Sequence, residues 1–372
     1  MSLADQLLKT PLHRWHVENN GRMVDFAGWS MPVQYSSIIE EHHQTRNAVG
    51  MFDVSHMGRL YFSGPAIDQF LDTLTTRRVA GVECGKIRYS LMTNQSGGIL
   101  DDVLVYHLPD INGQPFHMMV VNGSNREKIV NWIGSQIGDS GITLHDRTTE
   151  TAMIAVQGPQ ANPVVAKLSQ VDPDSLAYYT GTTTKVCGQE AIVSRTGYTG
   201  EDGCEIIASA DHAEEIWKAV FELSQSAGGG ATGLAARDTL RLEAGMPLYG
   251  HELTESINPA QADLKFAIQM KDREFVGRSA ILAARKDNTL RTRIGLELEG
   301  KRAARENCQI LRGDQVVGFV TSGTFAPTLQ KSLSMAYVDP DCTEIGTELT
   351  IDIRGKSHPA KVVAVPFYKR PQ

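Results

Sequence analysis

The sequence predicts a region of mixed helices and strands followed by a separate all-β, barrel-like domain. Three observations carry this. At 372 residues the chain exceeds the size at which one hydrophobic core usually stops growing, so two or three domains are expected. Up to about residue 283, helical and strand periodicities alternate. From about Arg291 helical spacing disappears, and short alternating strands with turn residues between them take over. The expected division is 1–283 and, after a linker near Ala283 to Thr292, 291–372.

Taken in order, Met23 to Tyr35 alternates aromatics with Gly and Pro and reads as a packed loop or short strands. Ser37 to Asn47 reads as a helix, with Ser36 or Ser37 as the cap and Glu40-Glu41 in its first turn. His42 and His43 lie about 100° apart on that helix, without H-E-x-x-H spacing, and are expected to be solvated or cap-side histidines rather than metal ligands. Met51 to Phe62 reads as two strands broken by small residues, and Pro65 to Thr75 as a helix. His56, between those strands, suits either an acid–base group or a hydrogen-bonded core residue.

Three consecutive strands follow, Ile87 to Thr93, Ile99 to His107 and Phe116 to Val121, an antiparallel meander. Arg126 to Ile137 returns to helical spacing, capped by Ser124 or Asn125. Met153 to Val156 is a buried strand and Gln160 to Leu168 is helical. Gln189 to Arg195 and Cys204 to Ala208 are strands joined by a glycine-rich, acidic loop that can approach a ligand closely. Asp211 is expected to cap a helix reaching about Ser224. Gly228 to Gly233 matches G-x-G-x-x-G formally, but a helix precedes it where a dinucleotide fold needs a strand, so a flexible link is expected. Arg237 and Arg241 stand four residues apart on the next helix, a like-charge pair that suits an anion lying over it or neutralisation by Asp238 and Glu243.

The meander's central strand is chemically unusual. Asp101 and Asp102 sit inside an otherwise apolar run, and the strand's two-residue period sends one carboxylate to each face. An ionised carboxylate away from water must be paired, hydrogen-bonded or neutralised. Asp101 can bond turn amides after Asn94-Gln95-Ser96-Gly97-Gly98; Asp102, one residue deeper beside Leu104 and Tyr106, fits that explanation less well. Glu205 is a second acid in an apolar run, between Cys204 and Ile206.

Composition excludes several classes of function. With 41% hydrophobic and 21% charged residues the chain has ordinary globular usage. No apolar run approaches the roughly 18 residues that span a bilayer, and Met1 to Leu12 has no signal or transit pattern, so a cytoplasmic protein without membrane contact is expected. A net charge of −7 with interspersed signs argues against a nucleic-acid partner. Cys84, Cys187, Cys204, Cys308 and Cys342 are scattered without C-x-x-C spacing and read as reduced thiols, not a disulfide frame or zinc site.

Six segments in order, MVDFAGW (23–29), FDVSHM (52–57), GGILDD (97–102), TGYTG (196–200), GLAARDTLRLEAGMPL (233–248) and TSGTFAPT (321–328), closely resemble the T-protein, or aminomethyltransferase, family of the glycine cleavage system. The resemblance implies a three-domain, cloverleaf-like α+β protein with a central folate site and a C-terminal β-barrel. It also implies a reaction: the methylene of the aminomethyl group on the lipoyl arm of H-protein passes to tetrahydrofolate, giving 5,10-methylenetetrahydrofolate and ammonia. Tetrahydrofolate is a co-substrate, lipoylated H-protein the partner, no metal is called for, and a monomer is expected. By this resemblance Asp102 is the catalytic aspartate, and Met57, Tyr89, Asp102, Tyr106, Asn122, Tyr198, Glu205 and Arg237 line the folate cavity. A carboxylate at 205 suits a pterin, whose amino and ring N–H groups can donate to both oxygens.

Where many relatives carry tryptophans, this chain has Phe266 and Met270, so aromatic contacts from that segment are not carried over, nor are those of the Phe367-Tyr368 ending. Two other functions share such a site: folate-dependent demethylation of another donor, and non-enzymatic folate binding. Flavin-dependent oxidation would need a dinucleotide fingerprint that is missing. The Lys-Gly-Cys-Tyr motif of the non-enzymatic relatives is also absent, while the paired Asp motif favours transfer.

Overall fold

The strand Ile99–Pro109, which carries both aspartates, lies second in a five-stranded sheet with the order Lys86–Thr93, Ile99–Pro109, Pro115–Val121, Gly58–Ser63, Thr143–Asp146. The first three are consecutive, as the meander requires. This architecture comes from a computed structural model that describes residues 7–371. Among these residues four sheets interleave with helices in an α+β arrangement, and one of the sheets closes into a barrel.

Contacts divide the chain into two units, each assembled from separated segments. Of the described residues, one takes those up to Asp72, Val79–Tyr89 and Val103–Arg237; the other takes Thr73–Arg78, Ser90–Asp102 and those from Asp238 onward.

In the first unit a six-stranded sheet runs Gly181–Val186, Gln189–Ser194, Gly203–Ser209, Thr151–Gln157, Gly50–Asp53, Gly230–Ala231. Helix Ala213–Ser226 buries Ile216, Trp217 and Val220, one face at helical spacing, in a core with Ile154, Val156 and Ile206. Its lead-in is a 3₁₀ turn, Ala210–His212, so the capping side chain is Ser209, which accepts from the Asp211 amide, and not Asp211 itself. Helix Arg126–Ile137 is likewise preceded by a 3₁₀ turn, Gly123–Asn125, and Asn125 makes no side-chain cap bond.

Helix Ile38–Asn47 starts as expected, with the Ser37 hydroxyl accepting from the Glu40 amide. His42 is not solvated. It shares the helix face that buries Glu41, Thr45 and Arg46, and is itself fully buried. The glycine tract is no flexible link either: Gly230–Ala231 pairs in parallel with Gly50–Asp53 at the sheet edge. A Cβ on Gly233 would stand 2.3 Å from the Val33 carbonyl oxygen, and its amide donates to the Glu41 carboxylate at 2.8 Å. The glycines are there because main chain packs on main chain.

In the second unit, strands Thr292–Leu298, Lys331–Val338, Gln315–Ala326, Gln309–Arg312, Glu348–Asp352 and Ser357–Val363 close, in that order, into the barrel. Leu296, Leu298, Ile310, Val320, Ala336, Val338 and Ile351 fill it. The start of the aspartate strand is also fixed within this unit. The Ile99 amide donates to the Thr254 and Ile257 carbonyls, and the Asn94 side chain accepts from the Gly98 amide at 2.9 Å. Asp101 is fully buried and Asp102 half-buried, the reverse of the depth their order along the strand suggests.

Candidate functional site

The densest group of expected site residues lies in the first unit, around the loop between strands Gln189–Ser194 and Gly203–Ser209. The antiparallel register sets Ser194 opposite Glu205. The Glu205 carboxylate is buried and accepts a hydrogen bond from the Thr196 hydroxyl, which also meets the Ser194 hydroxyl at 2.9 Å. Burial pushes the Glu205 pKa up, against the Thr196 hydrogen bond and the positive charge of Arg237.

Tyr106 is fully buried on the far half of the aspartate strand. Its hydroxyl lies beside Ser194 and Thr196 yet makes no hydrogen bond of ordinary geometry. Burial, then Glu205, raise its pKa, so it remains a phenol. Arg237, on helix Leu234–Glu243, holds its guanidinium 4.8 Å from the centre of the Tyr198 ring. Burial lowers its pKa, while Glu205 and Tyr198 act against that. One of its terminal nitrogens is buried without a hydrogen-bond partner. Two buried donors with nothing to donate to, beside a buried carboxylate, are what an apolar core avoids and a polar ligand would satisfy.

The loop is held from behind by residues the sequence reading passed over. The Gln157 carboxamide donates to the main-chain oxygens of Thr196 and Cys204 at 3.1 and 3.2 Å. A Cβ at Gly197 would stand 1.9 Å from that carboxamide's oxygen, so this glycine is required for close packing. Buried Arg46 donates to the Thr199 carbonyl at 2.7 Å and to Glu201 at 2.9 Å. The available signal was Gln157-Gly158-Pro159 directly after a buried strand: a polar residue ending an apolar run.

Met57 and Asn122 come together through strand register. Gly58 pairs with Val121, which leaves the residues just outside that pair at one end of the sheet. His56, beside them, is buried and edge-on to Phe26, with ring centres 5.3 Å apart. Its Nδ1 is buried without a partner, and burial, reinforced by Arg237 and Arg59, lowers its pKa to about 4. Tyr89 is half-buried at the end of a first-unit segment, whereas Asp102 closes a segment of the second unit. Of the two arginines four residues apart, Arg237 is the one beside Tyr198 and Glu205. Arg241 pairs in the second unit with Asp238 and with buried Glu252, both at 2.9 Å. No His, Cys, Asp and Glu side chains cluster as metal ligands among the described residues.

Residues 12–272 match the family described as the GCVT N-terminal domain, and residues 291–369 the glycine cleavage T-protein C-terminal barrel domain. The chain belongs to the glycine cleavage T-protein family. It is 41% identical to an aminomethyltransferase of Desulforamulus reducens over 98% of this chain and 99% of that one. It is 42% identical to an aminomethyltransferase of Chloroherpeton thalassium over 96% and 98%. Among solved structures, the glycine cleavage system aminomethyltransferase T of Bartonella henselae superposes with a TM-score of 0.91 at 30% identity, covering 98% of this chain and 99% of that one. As a T-protein family member the chain has the α+β class and terminal barrel expected of it, and no helix among its described residues is long and apolar enough to cross a membrane.

Proposed function

We propose that this T-protein family member is a tetrahydrofolate-dependent aminomethyltransferase, which accepts the lipoyl-bound aminomethyl group of H-protein and releases ammonia and 5,10-methylenetetrahydrofolate. The observation that carries the folate assignment is the group of Glu205, Tyr106 and Arg237. A buried carboxylate beside two buried, unpartnered donors suits a flat heterocycle that both donates and accepts. A cytoplasmic, monomeric enzyme without a metal belongs to the same proposal, with Met57, Tyr89, Asn122 and Tyr198 as further folate contacts.

Folate, when bound, supplies the nucleophilic nitrogen. The chain's own part is to orient it and move a proton. Glu205, steadied by Thr196, accepts from the pterin, while Arg237 and Tyr106 offer their unpartnered donors. Asp102 is assigned the chemistry. The family resemblance of the GGILDD segment supports this: its carboxylate takes the proton lost by the attacking nitrogen and stabilises developing positive charge. General-base help of this kind is typically worth about 10² to 10⁴ in rate, and holding two large substrates together adds to it.

The test is to incubate aminomethylated H-protein with tetrahydrofolate and the purified chain, following ammonia and methylenetetrahydrofolate. Stoichiometric release of both is expected. Release from a small methylated donor but not from H-protein would move the assignment to a demethylase; folate binding without turnover would make it a binding module.

A further inference from the structure

We propose that Arg59 is a positioning residue of the folate site, holding the Ser55–Met57 loop so that Met57 meets the ligand. This rests on the functional reading above and extends it to a wholly buried residue whose side-chain nitrogens already donate to protein oxygens, so that it acts on a ligand through the loop it holds. Every partner of its side chain is a neutral oxygen. Nε donates to the Thr151 hydroxyl at 2.7 Å. One terminal nitrogen donates to the carbonyls of Ser55, at 3.1 Å, and Met57. The other donates to those of Ser55 at 3.1 Å, Thr151 at 3.0 Å and Thr148.

Burial lowers its pKa to about 10, which leaves it a cation at neutral pH. A buried cation without a carboxylate against it is a poor device for stability alone. What it secures is geometry: two main-chain segments, 55–57 and 148–151, converge on one rigid, planar fork. The loop is gripped from its other side as well, because the Asp53 carboxylate accepts from the Ser55 amide at 2.9 Å. Ser55 therefore has its N–H on a buried anion and its C=O on a buried cation.

Beyond Met57 the loop packs main chain on main chain. A Cβ at Gly123 would stand 2.7 Å from the His56 carbonyl oxygen, so a shift of the loop carries through to the Asn122-Gly123 turn. A displacement of about 1 Å is enough to spoil a binding site.

The test is a double-mutant cycle on the full-length chain with Arg59→Met, Met57→Ala and the pair together, plus Arg59→Lys. Tetrahydrofolate Kd and Tm are measured for each. Arg59→Met and Met57→Ala are each expected to weaken Kd about tenfold, and the double variant also about tenfold rather than a hundredfold, because both remove the same contact. Arg59→Lys, with three donors in place of the fork, falls between wild type and Arg59→Met. Should Arg59→Met not fold, Arg59→Lys takes its place in the cycle.

Wild-type Kd in the Arg59 variants, whatever their Tm, would overturn the proposal, as would multiplicative losses in the double variant. A flat folate titration of the wild-type chain would instead bring down the functional reading, and this inference with it.

Discussion

The guanidinium of Arg237 lies 4.8 Å from the centre of the Tyr198 ring, with Glu205 as the anion that acts on it most. Cation, ring and carboxylate thus reinforce one another in a half-buried setting, where a cation–π contact is worth about 0.5 to 2 kcal/mol. Arg237→Met removes a cation that opposes the burial-driven rise of the Glu205 pKa and should raise that pKa further. Tetrahydrofolate affinity is expected to fall by about tenfold or more, measured by equilibrium titration. Unchanged affinity would remove Arg237 from the site.

The adjacent aspartates should separate cleanly. Asp102→Asn keeps size but removes charge and proton acceptance, so kcat should drop by roughly 10² or more with Tm and folate Kd preserved. Asp101 is the fully buried member, and Asp101→Asn should lower stability by about 1 to 3 kcal/mol while leaving transfer largely intact. Both variants are compared by thermal melt, folate titration and methylene transfer. An inactive Asp101→Asn beside an active Asp102→Asn would reverse the assignment.

His56 makes stability pH-dependent in a defined window. Its folded pKa is about 4 against 6.5 unfolded, so as pH falls through 6.5 the unfolded chain takes up a proton that the folded chain refuses. Stability should decline from pH 6.5 to 4 by about 3 kcal/mol from this group. Below pH 4 the loss from His56 stops. Asp53 then follows: its folded pKa is about 2, because burial, which would raise it, is outweighed by hydrogen bonds from His16, Ser55 and Thr10. Its contribution, complete above 3.8, disappears as pH drops through 2. Chemical denaturation across pH checks this; His56→Gln should flatten the slope between 6.5 and 4, and an identical slope would contradict the reading.

Glu252 is the keystone of a buried network in the second unit. It accepts from Arg241 at 2.9 Å, the Thr321 hydroxyl at 2.5 Å and the Leu248 amide at 2.9 Å. Glu252→Ala takes from the buried Arg241 guanidinium its buried carboxylate, leaving the half-exposed Asp238 as the remaining ion-pair partner, and should cost about 3 to 5 kcal/mol, read as a fall in denaturation midpoint. A loss under about 1 kcal/mol, the range of exposed pairs, would mean water reaches the pair.

The elements were legible where one periodicity ruled. The barrel strands alternate cleanly because one face fills an interior, and the meander was bounded by turn residues. Caps failed at Asp211 and Asn125 for one reason: a 3₁₀ turn precedes each helix and moves the capping position upstream. The glycine tract misled because glycine serves close packing as readily as flexibility, and the Val33 carbonyl that demands Gly233 is distant in sequence. Glu205 stood out as an acid among apolar residues. Gln157 carried a weaker signal, as a polar residue ending an apolar run; Thr196 and Arg59 carried none, since a buried polar residue is conspicuous only once its partners are known.

The interleaving of the two contact units bears on how the chain is made. Residues 73–78 and 90–102 leave the ribosome early, but the remainder of their unit begins only at Asp238. During synthesis these segments, with both aspartates, meet most of the residues of their own unit only after Asp238 has been made. Contacts so far apart in sequence slow folding and prolong the exposure of an apolar strand. A product truncated before the barrel would therefore retain Asp101 and Asp102 yet lack most of the unit to which they belong.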